Sequence, residues 1–402
     1  MATPTSQASS ISGDPGVMLS RPEHFRRAVL QVLAEGKVID LIPQTSKVIV
    51  LDSELQVQHA YFVLMSHGCN CGPVWDADRQ RFIGLLSVSD FVDVLVNTWK
   101  EYKRRQQNAA HTTDSSMADE DPSAGPSNTS LDLKLPTQRI CDWQLGIRAR
   151  GSSIPFLLTV APQASLLSAV RQLIASRVHR LAVAADPLSQ TVAAIMTQHQ
   201  LLGHLLRQCL QGAGLAGLGA GALATVGETG VGRRERLLTV CADTPVADAA
   251  EILIENRISS VPVVAGSWND REDQSGHGVR TVVEGGKTKV LGTFARADVL
   301  LLSLMGVEES LKARVTIEQV MRERLSVDVT CKDTDTLVDV CKKLYAVDRH
   351  QVVCVDEEGC LMGVVALTDM LSFVLQCELS IQRDTTDHTH DMVNMVNMVN
   401  KT

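Results

Sequence analysis

Two stretches far apart in this chain are built alike. Gly84-Leu85-Leu86-Ser87-Val88-Ser89-Asp90 and Gly363-Val364-Val365-Ala366-Leu367-Thr368-Asp369 each give a glycine, a short apolar strand, a hydroxyl residue and an aspartate, and each runs into an apolar helix pattern. A unit this small cannot bury its apolar face alone, so its copies must pack on one another, and function is expected between copies.

Four copies are legible. Helix patterns run over Leu55–Met65, Leu166–Ala175, Val246–Glu255 and Leu337–Leu344, each with Asp, Ser or Thr near its start as a cap. A short β-rich run follows in each: Gly72–Trp75, Leu181–Ala184, Ser260–Val264 and Gln351–Val355. After a polar turn come second strands at Phe82–Val88, Thr191–Met196, Val290–Phe294 and Leu361–Leu367. Final helices are expected to start at Asp90, Gln200, Asp298 and Asp369.

Composition narrows the function classes. The chain has 402 residues, net charge -8, 45% apolar residues and only 3% aromatics, so its cores must be Leu, Val, Ile and Ala. Few rings and an acidic balance argue against a nucleic-acid partner. A local basic pocket for a small anion stays open. The ten cysteines are scattered without a CxxC pair and read as reduced thiols of a cytosolic protein. No segment reads as a signal or a membrane span. Gly212-Ala213-Gly214-Leu215-Ala216-Gly217 matches GxGxxG, but it follows a helix in Gly/Ala-rich sequence and reads as linker. Asp387-His388-Thr389-His390-Asp391 could hold a metal, yet a polar tail is the simpler reading. No nucleophile–base pair or P-loop points to catalysis.

The helix–β–β–α unit resembles the cystathionine-beta-synthase (CBS) domain, and four copies in one chain are similar to the gamma subunit of AMP-activated protein kinase. Asp40-Leu41-Ile42-Pro43 with Ser46-Lys47-Val48, then Gly72-Pro73-Val74-Trp75-Asp76 and Ser89-Asp90-Phe91, resemble its first repeat. Val178-His179-Arg180-Leu181 resembles its His-Arg-Leu signature, and Arg257–Val264 its third strand entry. The resemblance implies an α/β fold of four CBS repeats forming two paired modules in a disc. On that reading 1–36 is a largely disordered extension, 37–102 repeat 1, 103–135 a disordered linker and 136–210 repeat 2. Then 211–232 is a Gly-rich linker, 233–306 repeat 3 with a loop insert at 268–289, 307–380 repeat 4 and 381–402 a disordered tail. It implies a non-catalytic regulator that senses AMP, ADP and ATP. Its partners would be a kinase catalytic alpha subunit and a scaffolding beta subunit, in the cytoplasm, with the nucleus left open. A free-standing CBS protein that binds nucleotide or adenosyl ligands and regulates another enzyme is the alternative.

An aspartate at a helix start can accept hydrogen bonds from both ribose hydroxyls, which singles out Asp90, Asp298 and Asp369; Gln200 in repeat 2 should leave that site weak or empty. Phosphates need cations and convergent donors. Candidates at related positions are Asn70, Ser87, His179, Arg180, His199, Arg257, Ser259, Arg296, His350 and Thr368. Asn70 stands where the metazoan family form has an arginine, Gln351 where the family has the arginine of His-Arg, and His199 where a lysine is usual. Losing these cationic contacts should weaken binding and alter discrimination between mono- and triphosphate.

Overall fold

The β-rich runs become four small sheets. The computed structural model describes residues 20–43, 45–112, 138–143, 157–184, 191–211, 223–266, 280–281, 288–299, 315–323 and 329–385. The GxGxxG stretch, most of the 268–289 insert and Asp387–Asp391 lie outside them. Long strands β2 (Cys71–Asp76) and β3 (Arg81–Ser87), β5 (Arg180–Val183) and β6 (Ala194–Thr197), β8 (Ser260–Val264) and β10 (Val290–Ala295), and β12 (Gln351–Val355) and β13 (Leu361–Ala366) pair antiparallel. Their registers agree: Cys71 faces Ser87, Arg180 Thr197, Ser260 Ala295, and Gln351 Ala366. Each first long strand also carries a short parallel neighbour on its other edge, which the sequence pattern did not show. These are β1 (Leu51–Asp52), β4 (Thr159–Val160), β7 (Leu238–Cys241) and β11 (Thr330–Cys331). A strand β9 (Arg280–Thr281) from the expected loop insert adds to β7.

The helices follow their apolar stripes. Chain order gives α1 (Arg21–Glu35), α2 (Val57–Ser66), α3 (Val88–Thr112), α4 (Leu166–Ala175), α5 (Gln198–Gln211) and α6 (Val226–Thr229). Then come α7 (Val246–Glu255), α8 (Arg296–Val299), α9 (Ile317–Glu323), α10 (Leu337–Ala346) and α11 (Leu367–Thr385). Ser165 and Thr336 cap α4 and α10 through their hydroxyls, which accept from the N–H of Ser168 and Asp339. After α2, α4, α7 and α10 the chain turns into its strand through a left-handed residue: Gly68, Arg177, Arg257 and Asp348, with φ of 65°, 53°, 53° and 49°.

Pairing is made by exchange. Val38 donates to Ala164 O and Ile39 to Pro162 O, so the start of copy 1 docks on copy 2, where Val38 and Leu41 are buried. In return Ile140 donates to Leu55 O and Cys141 to Ser53 O, and Ile140 and Trp143 complete the core of copy 1. Copies 3 and 4 do the same. Val226 of α6 donates to Asp335 O, Ile317 of α9 donates to Thr244 O, and both side chains are buried in the other copy's core. The two pairs then meet through helices: α3 of copy 1 on α7 and α8 of copy 3, and α5 and α4 of copy 2 on α10 and α11 of copy 4. Val92, Leu95 and Val96 of α3 sit inside the core of copy 3. Fully burying one such side chain is worth about 1.5–3 kcal/mol, so the two pairs form one body.

Two segments are more ordered than expected. Within the extension, Arg21–Glu35 is helical and buries Phe25, Val29 and Leu33 against copies 2 and 4. At the expected first linker, α3 runs on to Thr112, and Lys103 pairs with Asp248 of α7 at 2.8 Å.

Candidate nucleotide site

Two hydrogen bonds recur in all four copies and fix the candidate residues. Asn70, His179, Ser259 and His350 each enter a strand, and their carbonyls accept from the first N–H of the last helix: Val88 (2.9 Å), Gln198 (3.2 Å), Arg296 (2.9 Å) and Leu367 (2.9 Å). Asp90, Gln200, Asp298 and Asp369 reach back three residues. One side-chain oxygen of each accepts from the N–H of Ser87 (2.6 Å), Thr197 (2.9 Å), Ala295 (2.8 Å) and Ala366 (3.1 Å). These helices therefore start two residues before the acid, at Val88, Gln198, Arg296 and Leu367, not at the acid as expected. The acid is the third helical residue, closing the return half of a capping box. Gln200 forms the full box, since its own N–H donates to Thr197 Oγ1 at 3.1 Å. An amide oxygen thus suffices for the cap, and a carboxylate at the other three positions asks for a further reason.

The spare oxygen supplies that reason. Ser87 donates from both backbone and hydroxyl to Asp90 Oδ2, leaving Oδ1 without a hydrogen-bond partner among the described residues. Burial raises the Asp90 carboxyl pKa, against the Ser87 bonds and the nearby Arg180 and Arg296. Asp369 caps through Oδ2 and likewise keeps Oδ1. Asp298 differs. Only 4% exposed, it gives Oδ1 to Arg349 Nη2 at 3.0 Å.

Asp369 faces a cavity of about 250 Å³ that draws on three copies. Copy 4 contributes His350, Thr368 and Asp369, copy 3 Arg257 and Ser259, and copy 2 His179. Six of the thirteen candidates therefore share one space. Apolar wall comes from Leu237, Leu238, Ile258, Pro262 and Val364. His179 and His350 stack at 5.3 Å and 21° across the seam between copies 2 and 4. Gln198, fully buried, holds His179 Nδ1 at 3.0 Å. Burial lowers the His350 pKa to about 4, helped by His179 and Arg180. His179 keeps more open surface, yet burial in the cavity wall also lowers its pKa, with Arg180 and Arg296 adding to the effect. Both shifts favour the neutral ring, and both rings gain charge most readily beside an anion.

Arg233 and Arg236 line the same cavity and escaped the sequence reading. They follow the Gly-rich stretch and arrive by close backbone approach. Arg233 and Val364 exchange N–H···O bonds of 2.8 and 2.9 Å, and a Cβ on Gly363 would stand 2.8 Å from Arg233 O. Only glycine fits there, and the φ of +106° at Gly232 carries the same demand.

The other candidates are placed elsewhere. Arg180 enters β5 half-buried, near Asp90 and both histidines. Asn70 is exposed, and the Ser87 hydroxyl is spent on Asp90. Arg296 donates to Ile258 O at 3.0 Å and to Asp93 at 3.2 Å, so it bolts copy 3 to α3 of copy 1. His199 stacks on Tyr345 at 4.5 Å and pairs with Asp348 at 3.0 Å, joining copies 2 and 4. Gln351 donates to Ser260 O at 2.9 Å, which ties copies 3 and 4.

Comparison with known proteins fits this architecture. A family model described as CBS domain matches residues 231–274 and 317–376. The 5'-AMP-activated protein kinase subunit gamma of Dictyostelium discoideum is 25% identical over 367 residues, 89% of this chain and 55% of that protein. Subunit gamma-3 from Bos taurus is 26% identical over 366 residues, 89% of this chain and 62% of its own length. The chain thus spans little more than half the length of these relatives. A solved structure from Methanocaldococcus jannaschii, titled a candidate archaeal homologue of g-AMPK, aligns over 84% of this chain and 99% of its own with a TM-score of 0.55. At 14% identity it speaks for the fold alone. The CBS domain model thus falls on copies 3 and 4, copies 1 and 2 repeat the same fold in two exchanged pairs, and the chain is similar over most of its length to gamma subunits of 5'-AMP-activated protein kinase.

Proposed function

We propose that the chain is a non-catalytic regulatory subunit that binds adenine nucleotides between its repeats and passes their level to a protein kinase. The cavity at Asp369 carries this reading. It sets a carboxylate with a spare oxygen in one space with three arginines, two histidines and an apolar wall. Those are the chemistries that a ribose, a phosphate and a purine require. Asp369 takes the ribose hydroxyls, and Thr368, Ser259, His179, His350 and Arg257 take the phosphate, with Arg233 and Arg236 beside them. Asp90, with Arg180 close by, forms a second position of the same kind. AMP, ADP and ATP are the proposed ligands. The relatives are named as gamma subunits of a protein kinase, and an alpha catalytic and a beta scaffolding subunit, implied by the sequence resemblance, are the proposed partners, in the cytoplasm and open to the nucleus. No helix of the described residues is long and apolar enough to cross a membrane.

A ligand there touches both pairs of repeats, so it binds differently when the pairs shift relative to each other. That difference is what a regulatory ligand needs. Affinity capture of the tagged full chain tests the complex: recovery of a kinase catalytic subunit with a beta-type subunit is expected. Repeated capture of neither would overturn the kinase assignment and leave a free-standing nucleotide-binding protein.

A further inference from the structure

The third aspartate is already occupied. Arg349 stands directly before the strand-entry residue of copy 4, where the other copies have Cys69, Val178 and Ile258. Its guanidinium crosses to copy 3 and donates to Asp298 Oδ1 at 3.0 Å, with side chains 20% and 5% exposed. Asp298 Oδ2 is committed to the Ala295 N–H at 2.8 Å. Both oxygens are therefore engaged, whereas Asp90 and Asp369 accept through Oδ2 alone among the described residues. A guanidinium offers the same kind of group as a ribose diol, namely N–H or O–H donors aimed at a carboxylate. Among the described residues nothing comparable reaches Asp369, which looks into the 250 Å³ cavity.

We infer that Arg349 is a built-in plug. It takes the place of a ribose on Asp298 and closes the third position, so the array loads nucleotide at Asp90 and Asp369 only. This inference rests on the nucleotide reading above and refines its stoichiometry. A nucleotide entering at Asp298 would have to expel Arg349, leaving a half-buried cation without its carboxylate. Losing a charge-assisted bond of this kind weakens binding by at least about tenfold.

AMP titration of the full chain by calorimetry, comparing wild type with Arg349→Met and Arg349→Gln, tests the plug. Both variants keep the stem of the side chain and remove the charge, and melting curves establish that each is folded. The expected result is one more equivalent of AMP per chain than wild type binds, lost again when Asp298→Asn is added. A folded variant that binds no additional AMP overturns the inference, as does an added equivalent that survives Asp298→Asn. The amount bound by wild type tests the nucleotide reading, and the gain on substitution tests Arg349.

Discussion

Replacing Asp369 separates its two roles. Its Oδ2 caps α11 through the Ala366 N–H at 3.1 Å, and its Oδ1 is the proposed ribose acceptor. Ala366 has no side-chain oxygen to share the cap, so Asp369→Ala loses it outright, at a cost of about 1 kcal/mol. Asp369→Asn keeps an oxygen for the cap, and Gln200 shows an amide oxygen making that bond to Thr197 N at 2.9 Å. The ribose bonds respond differently. A hydrogen bond to a charged group contributes about 1.5–3 kcal/mol, and a neutral acceptor keeps roughly half of that. For two hydroxyls, Asp369→Asn should lose about 1.5–3 kcal/mol of binding, roughly 10- to 150-fold in Kd. Asp369→Ala should lose more. The assay is paired: calorimetric AMP titration for affinity and thermal melting for stability. The expected pattern is a near-wild-type melt with a large affinity loss for Asn, and losses in both for Ala. AMP affinity in folded Asp369→Asn within about twofold of wild type would refute the ribose assignment.

Three further predictions follow the same geometry. His350 falls from an unfolded value of 6.5 to about 4 in the fold. Between those values the unfolded chain binds the extra proton, so stability is complete above pH 6.5 and declines toward pH 4, by up to about 3 kcal/mol. Melting at pH 7.5 and 5 should show this slope, and His350→Gln should flatten it. Gly363→Ala places a Cβ 2.8 Å from Arg233 O, so it should cost about 1–3 kcal/mol and weaken AMP binding as Arg233 and Arg236 are pushed off β13; an unchanged titration would argue against them. Leu95→Ala removes a side chain 6% exposed in the core of copy 3 and should destabilise by about 2–5 kcal/mol. Lys103→Ala breaks a half-exposed pair at the same seam and should cost less than about 1 kcal/mol. Equal losses in melting would show that ions rather than apolar contacts hold the pairs together.

Periodicity made the repeated elements legible. Leu166–Ala175 and Val246–Glu255 are helices with the residues that the apolar stripe marked, and Ser260–Val264 and Gln351–Val355 are strands in full. The short strands β1, β4 and β11 escaped because two residues carry no pattern. Helix α1 was masked by its Ser/Pro-rich surroundings, although Phe25, Val29 and Leu33 already stand one turn apart. At the site, the acids and strand entries were readable because each copy repeats them. Arg233, Arg236 and Arg349 were not, because a reach from one copy into another leaves no local trace. Arg349 is also the residue that breaks the equivalence of the three aspartates. Arg296 and His199 had the chemistry of phosphate ligands, but Asp93 and Asp348 on other copies claim them.

The central claim is that adenine nucleotide sits in the cavity between the pairs of repeats. A crystal structure of the full chain grown with saturating AMP tests it most directly. It should show the ribose hydroxyls on Asp369 Oδ1 and the phosphate among His350, His179 and Arg257, with Arg349 still on Asp298. An empty cavity in AMP-saturated crystals, or AMP bound only elsewhere, would contradict the account.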